Sequence, residues 1–173
     1  TIPAFAQGSE PAPAAPAGAA AGAGVSLAFS GDFVVCADNA KFIMAFVNLG
    51  LVPDTGGTYL FVKSLGIQKA MELCVTGRPM KAQEAKDAGM VYDVVPAEEL
   101  DDTVMKLAKK FANGPLLSYK NIKKQIYQAG LADYKKYLDE CEIPTQRECA
   151  ASSDFIEGVK AFMEKRKAEF KGE

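Results

Sequence analysis

The chain has 173 residues, of which 49% are apolar and 24% charged, and its formal net charge is −2. This composition is typical of one globular domain, or most of one, and the small net charge gives no reason to expect nucleic acid or an anionic membrane as a partner. The chain has no histidine, which removes the commonest general base at neutral pH and the commonest zinc ligand.

The apolar residues form no run as long as the 18 or so that a membrane helix needs. The longest apolar stretch, residues 42–53, is interrupted by Asn48. The four cysteines form no CxxC pair, which favours buried thiols over a zinc or redox site. We therefore expect a cytoplasmic protein without a metal centre.

The first predicted elements follow a segment rich in proline and alanine. Residues 1–21 predict irregular structure, because proline fixes φ and removes a backbone donor. Structure is expected from Gly22 onward. Residues 22–31 predict a short helix after a glycine turn, and residues 33–37 and 40–45 predict two buried strands because they are apolar and partly β-branched.

The spacing of apolar residues becomes helical after residue 54. Residues 55–66 and 67–77 each predict a helix that ends on a glycine. Residues 81–89 predict a further short helix, and residues 90–95 predict a strand.

The last part of the chain predicts helices. Residues 97–114 place acids in the first turn and lysines in the last, which matches the helix dipole. Residues 115–170 predict three more helices, the last with Asp154 as its N-cap. The predicted architecture is an α/β core over residues 22–113 and a helical C-terminal region over residues 114–173.

Three stretches together resemble the enoyl-CoA hydratase/isomerase, or crotonase, superfamily. They are residues 19–66, which contain PDTGG, residues 76–96, which begin TGRPMKAQEAKDAG, and residues 154–172, which read DFIEGVKAFMEKRKAEFKG with Ala168 where the family usually has proline. The resemblance covers about residues 18–173 and is strongest to epoxyphenylacetyl-CoA isomerases and enoyl-CoA isomerases.

The resemblance implies a fold and a ligand. The family fold is a spiral of ββα repeats whose C-terminal helices pack in a trimer. It implies an acyl-CoA thioester substrate, no separate cofactor because coenzyme A is part of the substrate, and a homotrimer or hexamer. It gives no reason to expect a nucleic acid or a membrane as a partner.

The chain departs from the family at its N-terminal side. Members of the family extend further there, and that part normally supplies the first strands, one oxyanion-hole amide and much of the CoA-binding surface. Pro13 and Pro16 also fall where the family has a central strand, a position that nearly excludes proline. A catalytically incomplete chain that keeps an oligomerising and ligand-binding surface is therefore an alternative.

The glycine-rich turn AGAG, residues 21–24, corresponds to the family's oxyanion-hole turn, which implies the N–H of Ala23 as one donor to an enolate oxygen. Tight packing is the alternative role of this turn. The two glutamates of the family's hydratases correspond to Ser26 and Phe46. Neither residue can serve as a carboxylate, so the two-glutamate hydration is not expected. Ser26 is a poor nucleophile without a histidine to activate it, and we expect a hydroxyl bonded within its helix.

Asp54 allows two interpretations. From the bare sequence it is a helix cap, since Asp is among the favoured caps. The resemblance instead implies the catalytic acid/base of the P-D-x-G-G motif, with Phe46, Leu51 and Val52 as apolar neighbours that would favour proton exchange. One carboxylate suffices for a 1,3-proton shift.

Two residues of the last helix are implied to bind the substrate. In the family, the Phe and Lys of A-F-x-E-K contact the adenine and phosphates of CoA, and these correspond to Phe162 and Lys165. The alternative is a solvated basic helix end. The sequence thus favours an acyl-CoA isomerase, with a superfamily hydrolase or dehalogenase that uses Asp54 as a nucleophile as another alternative.

Overall fold

The computed structural model describes residues 13–14 and 16–172. The expectation of irregular structure over residues 1–12 lies outside this part of the chain. The described strands are β1 (Pro13–Ala14), β2 (Ala19–Ala21), β3 (Phe33–Ala37), β4 (Lys41–Ile43), β5 (Met80–Lys81) and β6 (Asp93–Val95).

Helices dominate the rest of the described chain. The α-helices are α1 (Ala23–Phe29), α2 (Gly57–Leu65), α3 (Ile67–Thr76), α4 (Ala82–Asp87), α5 (Leu100–Ala112), α6 (Leu116–Gly130), α7 (Tyr134–Tyr137), α8 (Ile143–Ala150) and α9 (Ser153–Glu164). Short 3₁₀ helices occupy Ala45–Leu49 and Ala97–Glu99, and one turn of π-helix, Leu138–Glu142, joins α7 to α8.

The described strands form two three-stranded sheets. One has the order β1-β3-β6 with parallel pairing throughout, and the other has the order β2-β4-β5, in which β2 and β4 are parallel and β5 is antiparallel. The strands β1 to β4 alternate between the two sheets along the chain, and helix α1 connects β2 of one sheet to β3 of the other.

Part of the predicted irregular segment is ordered, which corrects the prediction for residues 1–21. Ala19–Ala21 pairs with β4, and Pro13–Ala14 pairs with β3. Strand β1 ends the order of its sheet among the described residues, and an edge is where a strand tolerates proline.

Two predicted strands are shorter than their apolar runs. The run over residues 40–45 forms a strand only over Lys41–Ile43, because a 3₁₀ helix begins at Ala45. The run over residues 90–95 forms a strand only over Asp93–Val95. Its first two N–H groups instead donate to the carbonyl of Ala85 and close the end of α4.

The predicted helices are present, and α2 and α3 end at Gly66 and Gly77 as predicted. The prediction for the start of the last helix is wrong. Ser152 is its N-cap and accepts a hydrogen bond from the N–H of Phe155 at 3.1 Å. The carboxylate of Asp154 accepts instead from the N–H groups of residues 171 and 172, which return along this helix.

Among the described residues, the buried apolar side chains form three clusters. The largest joins α1, β4, α2 and α3 around Phe42, Met44 and Phe61, and a second lies between β3 and α5. The third holds Tyr59 of α2 against Tyr134 and Leu138, so the segment 134–150 packs against the start of α2. None of the helices in the described residues has the length and apolar character that crossing a membrane requires.

Candidate active site

The turn that carries Asp54 connects the 3₁₀ helix Ala45–Leu49 to α2. Within it, Thr55 and Gly56 have φ values of 54° and 78°. Positive φ suits glycine, but for a β-branched residue such as threonine it is an unfavourable conformation that costs on the order of 1–3 kcal/mol. The contacts around the turn must therefore hold it in place.

The backbone carbonyl of Asp54 is the first point at which the turn is held. It accepts hydrogen bonds from the Ser26 hydroxyl at 3.2 Å, from the Thr55 hydroxyl at 2.7 Å and from the N–H of Gly57 at 3.0 Å. The Ser26 bond joins α1 to the turn across 28 residues of sequence. The prediction of a hydroxyl bonded within its own helix is therefore wrong for Ser26.

The carboxylate of Asp54 does not cap α2. The N-cap position is Gly56, which has no side chain, and within the described residues this helix has no side-chain cap. The half-buried carboxylate lies instead near two side-chain donors, the Thr55 hydroxyl at 3.3 Å and the Gln146 amide at 3.5 Å. The helix-cap interpretation therefore finds no support in the geometry.

The glycine-rich turn lies beside Phe46. Gly22 has a φ of 55° and donates its N–H to the carbonyl of Ile43. A Cβ at Gly22 would lie 3.7 Å from the ring of Phe46. Ala23 is the first residue of α1, and the first N–H groups of a helix have no acceptor within it. Since Ser26 lies one turn further along α1, this helix connects the predicted amide donor to the Asp54 turn.

A second carboxylate lies next to the turn, and sequence reasoning missed it. Glu142 is only 5% exposed, and each of its two carboxylate oxygens lies 3.0 Å from the N–H of Gly56. Burial raises the pKa of Glu142 above its ordinary value; the hydrogen bond from Gly56 opposes this rise, and the charge of Asp54 adds to it. The two carboxylates are thus close enough to interact.

The helix geometry around Glu142 has a local cause. Pro144 has no N–H and cannot donate to a carbonyl four residues earlier. The chain passes this position through the π-helical turn Leu138–Glu142, whose last residue is Glu142 itself, before α8 begins. Such wide turns are frequent at functional sites.

Two further side chains, from α7 and α8 on either side of the π-helical turn, also reach the Asp54 turn. Tyr134 donates its hydroxyl to the carbonyl of Thr55 at 3.4 Å, and the Gln146 amide lies 3.5 Å from Asp54 Oδ2. The Gln146 Oε1 is buried and has no hydrogen-bond partner within the described chain. No motif marks these contacts, since they span 79 and 92 residues of sequence. The predicted apolar surroundings of Asp54 are therefore incomplete.

The two predicted CoA contacts lie on the last helix and outside this cluster of contacts. Phe162 is 77% exposed near the C-terminal end of α9. Lys165 ends α9 as its C-cap, with an exposed side chain and a φ of 54°. Their roles remain predictions.

A cavity of about 630 Å³ lies away from the Asp54 turn, between α6 and the start of β3. Tyr134 lines it, but Ala23, Phe46 and Asp54 do not, so these predicted site residues lie outside it. Within residues 16–172, no three side chains of the metal-ligating types come together.

The chain matches a known family along most of its length. Residues 4–173 match the sequence profile described as enoyl-CoA hydratase/isomerase. The chain belongs to the enoyl-CoA hydratase/isomerase family. The match confirms the resemblance found in the sequence.

Relatives within this family have different activities. The chain is 43% identical over 155 residues to a 1,2-epoxyphenylacetyl-CoA isomerase of Escherichia coli, and 39% identical over 155 residues to a trans-2-decenoyl-[acyl-carrier-protein] isomerase of Streptococcus mutans. Each alignment covers 90% of this chain and 59% of the relative. The chain thus spans about three fifths of the length of these relatives.

A solved structure of the family shares the fold. An enoyl-CoA hydratase from Mycobacterium avium subsp. paratuberculosis superposes with a TM-score of 0.89 at 33% identity, over 98% of this chain and 69% of the hydratase. The crotonase-like α/β fold is thereby confirmed. These degrees of identity do not separate isomerases from hydratases.

Proposed function

We propose that the protein containing this chain is an acyl-CoA isomerase that shifts a double bond by proton transfer. Asp54 carries the proton, and the N–H of Ala23 donates to the thioester oxygen when that oxygen becomes an enolate. The observation that carries the proposal is the geometry of Asp54, whose backbone is fixed by three hydrogen bonds while its carboxylate caps no helix.

A single carboxylate is sufficient for this 1,3-proton shift. Ionised Asp54 removes a proton from the α- or γ-carbon of an enoyl thioester, and the C–H electron pair moves into the thioester carbonyl to form the enolate. Hydrogen-bond donors stabilise this charge. The electrons then return, and the same proton passes from the Asp54 carboxyl to the other carbon. No atom is gained or lost, and Asp54 ends ionised.

The residues at the two glutamate positions of the family's hydratases support isomerisation over hydration. Ser26 donates its hydroxyl to the backbone of Asp54, and Phe46 is buried. The second carboxylate that the structure does supply, Glu142, is buried against the N–H of Gly56. A carboxylate held in this way is not poised to activate a water molecule.

The relatives add support of a coarser kind. Both curated relatives named above are called isomerases, and their names include a CoA or an acyl-carrier-protein group. These names support an acyl-CoA substrate. The resemblance to the family adds Phe46 as a substrate-binding residue and Phe162 and Lys165 as contacts of the adenine and phosphates of CoA, and we include these roles in the proposal.

The test uses the full-length protein and a 3-enoyl-CoA. Formation of the conjugated 2-enoyl thioester is followed by its ultraviolet absorbance, and water addition is followed separately by mass. We expect isomerisation, and we expect Asp54→Asn to lower kcat about 10²-fold or more, the usual scale for one acid–base group.

The same substitution tests the cap alternative. Asn is about as good a cap as Asp, so the stability of Asp54→Asn should stay within about 1 kcal/mol of the parent. Binding of an unreactive acyl-CoA should be nearly unchanged. A folded Asn variant with full turnover, or a parent that hydrates faster than it isomerises, would refute the proposed function.

A further inference from the structure

One helical segment contacts three consecutive residues of the Asp54 turn. From residues 134–150, Gln146 lies near the carboxylate of Asp54, Tyr134 binds the carbonyl of Thr55, and Glu142 binds the N–H of Gly56. Both the backbone and the side chain of the turn are therefore in contact with this segment.

Of these three residues, Glu142 makes the shortest hydrogen bonds to the turn. Its 3.0 Å hydrogen bonds are shorter than those of Tyr134 and Gln146, and the acceptor is buried. A buried N–H of Gly56 without this acceptor would be unsatisfied, which proteins avoid. Burial disfavours the charged form of Glu142 and raises its pKa, and the hydrogen bond from Gly56 offsets part of this cost.

We infer that Glu142 is a positioning residue that holds the turn between Asp54 and Gly57 in the conformation that aims the Asp54 carboxylate at the reacting carbons. The inference rests on the proposed function of Asp54. Glu142 touches no substrate atom in this view, and it acts through the N–H of Gly56, two residues beyond Asp54.

If Glu142 positions Asp54, its loss should lower kcat and leave KM nearly unchanged. Proton transfer requires hydrogen-bond reach between the base and the carbon, so a displacement of about 1 Å can lower the rate roughly 10²-fold. Binding of CoA uses other residues, so KM should change little. A purely structural role would instead lower the folded fraction and leave the turnover of each folded molecule unchanged.

The experiment compares four variants in the full-length protein. Glu142→Ala removes the acceptor, Glu142→Asp shortens its reach by one methylene, and Glu142→Gln keeps an oxygen acceptor without the charge. Glu148→Ala, an exposed glutamate on the following helix, is the matched control. For each variant, kcat, KM, the folded fraction and the affinity for an unreactive acyl-CoA are measured.

We expect kcat per folded molecule to fall about tenfold or more in Glu142→Ala and to fall less in Glu142→Asp, with KM and affinity within about twofold. Glu142→Gln should restore kcat to within about threefold, because its carbonyl oxygen can accept from Gly56. Glu148→Ala should match the parent.

The outcomes separate this inference from the proposed function. If Asp54→Asn is inactive but Glu142→Ala and Glu142→Asp keep full kcat per folded molecule, the positioning role is wrong and the role of Asp54 stands. If the alanine variant does not fold, a Glu142→Asp variant with unchanged kcat still overturns the inference. An active Asp54→Asn would overturn both.

Discussion

Gly56 is the glycine of the Asp54 turn with the least room for a side chain. An added Cβ would lie 1.8 Å from the hydroxyl of Tyr134, closer than any real contact. Gly56→Ala must therefore displace Tyr134 in addition to adopting a positive φ. We expect the free energy of unfolding to fall by about 2–4 kcal/mol, the sum of a backbone penalty near 1 kcal/mol and an overpacking penalty of 1–3 kcal/mol.

Gly89 provides a matched control for this substitution. Its φ is 77°, within one degree of the 78° of Gly56, and a Cβ there would meet no atom within 4 Å. Its N–H donates to the carbonyl of Lys86 and the next N–H donates to that of Ala85, the pattern of a left-handed residue that ends a helix. Gly89→Ala should therefore show the backbone penalty alone, about 1 kcal/mol in urea unfolding. Equal losses in the two variants would show that Tyr134 does not pack against the turn.

Glu142 also predicts a pH dependence of stability. Its pKa is raised in the folded chain, first by burial and then by the charge of Asp54, while the Gly56 hydrogen bond opposes the rise. The folded state thus holds the proton more tightly than the unfolded state. The stability associated with this proton is fully present below the ordinary value of 4.5 and is lost as the pH rises through the folded value.

Glu142→Gln removes this titration while keeping an acceptor for Gly56. The difference in unfolding free energy, variant minus parent, should therefore increase as the pH rises from about 4.5 and then become constant above the folded value. Urea unfolding of both proteins across this range measures it, and the subtraction cancels the titrating groups that do not interact with Glu142. A difference that is flat throughout, or that decreases with pH, would mean that Glu142 is not a buried acid.

Some residues of the candidate site lie close together in the sequence, and others contact them from far along the chain. Asp54, Ala23 and Phe46 belong to one contiguous, motif-bearing stretch, and the sequence singled them out. Glu142 acts on Gly56 from 86 residues away, and nothing in the pattern of an exposed, charged helix indicates which face packs inward. Contacts of this kind follow from tertiary packing, which the local pattern does not encode.

Element ends show a similar limit. The apolar runs over residues 40–45 and 90–95 predict strands that are longer than those observed. The first strand stops before a 3₁₀ helix that begins at Ala45, and the second starts only at Asp93 because the two N–H groups at the start of its run donate to the end of α4. Ser152, rather than Asp154, caps α9. The sequence could not distinguish the two, because both residue types are favoured caps and only the backbone geometry decides between them. The helix ends at Gly66 and Gly77 could be predicted, since glycine there has a strong conformational reason.

The end of α9 allows a test of the predicted CoA contact. Lys165 adopts a φ of 54° at the C-cap, where glycine is the preferred residue. Lys165→Gly should therefore keep or slightly raise stability while it removes the ammonium group. If this lysine meets the phosphates of CoA, the Kd for CoA should rise about two- to fivefold, which corresponds to about 0.4–1 kcal/mol, the upper part of the range for an exposed ion pair.

Lys167→Ala is the control for this loss of charge, because Lys167 is an exposed lysine two residues further along. It should leave the Kd for CoA within about 1.5-fold of the parent at moderate salt, where separate surface charges are screened. Equal affinities in the Lys165 and Lys167 variants would argue that Lys165 is only a solvated helix end.

At the scale of the whole molecule, the fold class and the family could be predicted because they depend on long patterns, the alternation of strands and helices and three separate motifs. The apolar faces of the C-terminal helices are only partly satisfied within the chain. Leu138 is buried against α2, but no residue of α6 is buried, and Ile122 and Ile126 are 51% and 62% exposed. Exposed apolar side chains on one helix are typical of a face that another protein surface covers.

The last prediction concerns the assembly that would cover these side chains. We expect the full-length protein to be a trimer or a dimer of trimers, because closed symmetric contacts are the usual way to bury such faces. Ile126→Glu should then weaken association, since a buried unpaired carboxylate opposes assembly. Gln125→Glu, which adds the same charge at an adjacent exposed position, should leave association nearly unchanged. Light scattering at micromolar concentration measures both. A stable monomeric parent would contradict the prediction, and an Ile126→Glu variant that associates like the parent would place the contact away from this face of α6.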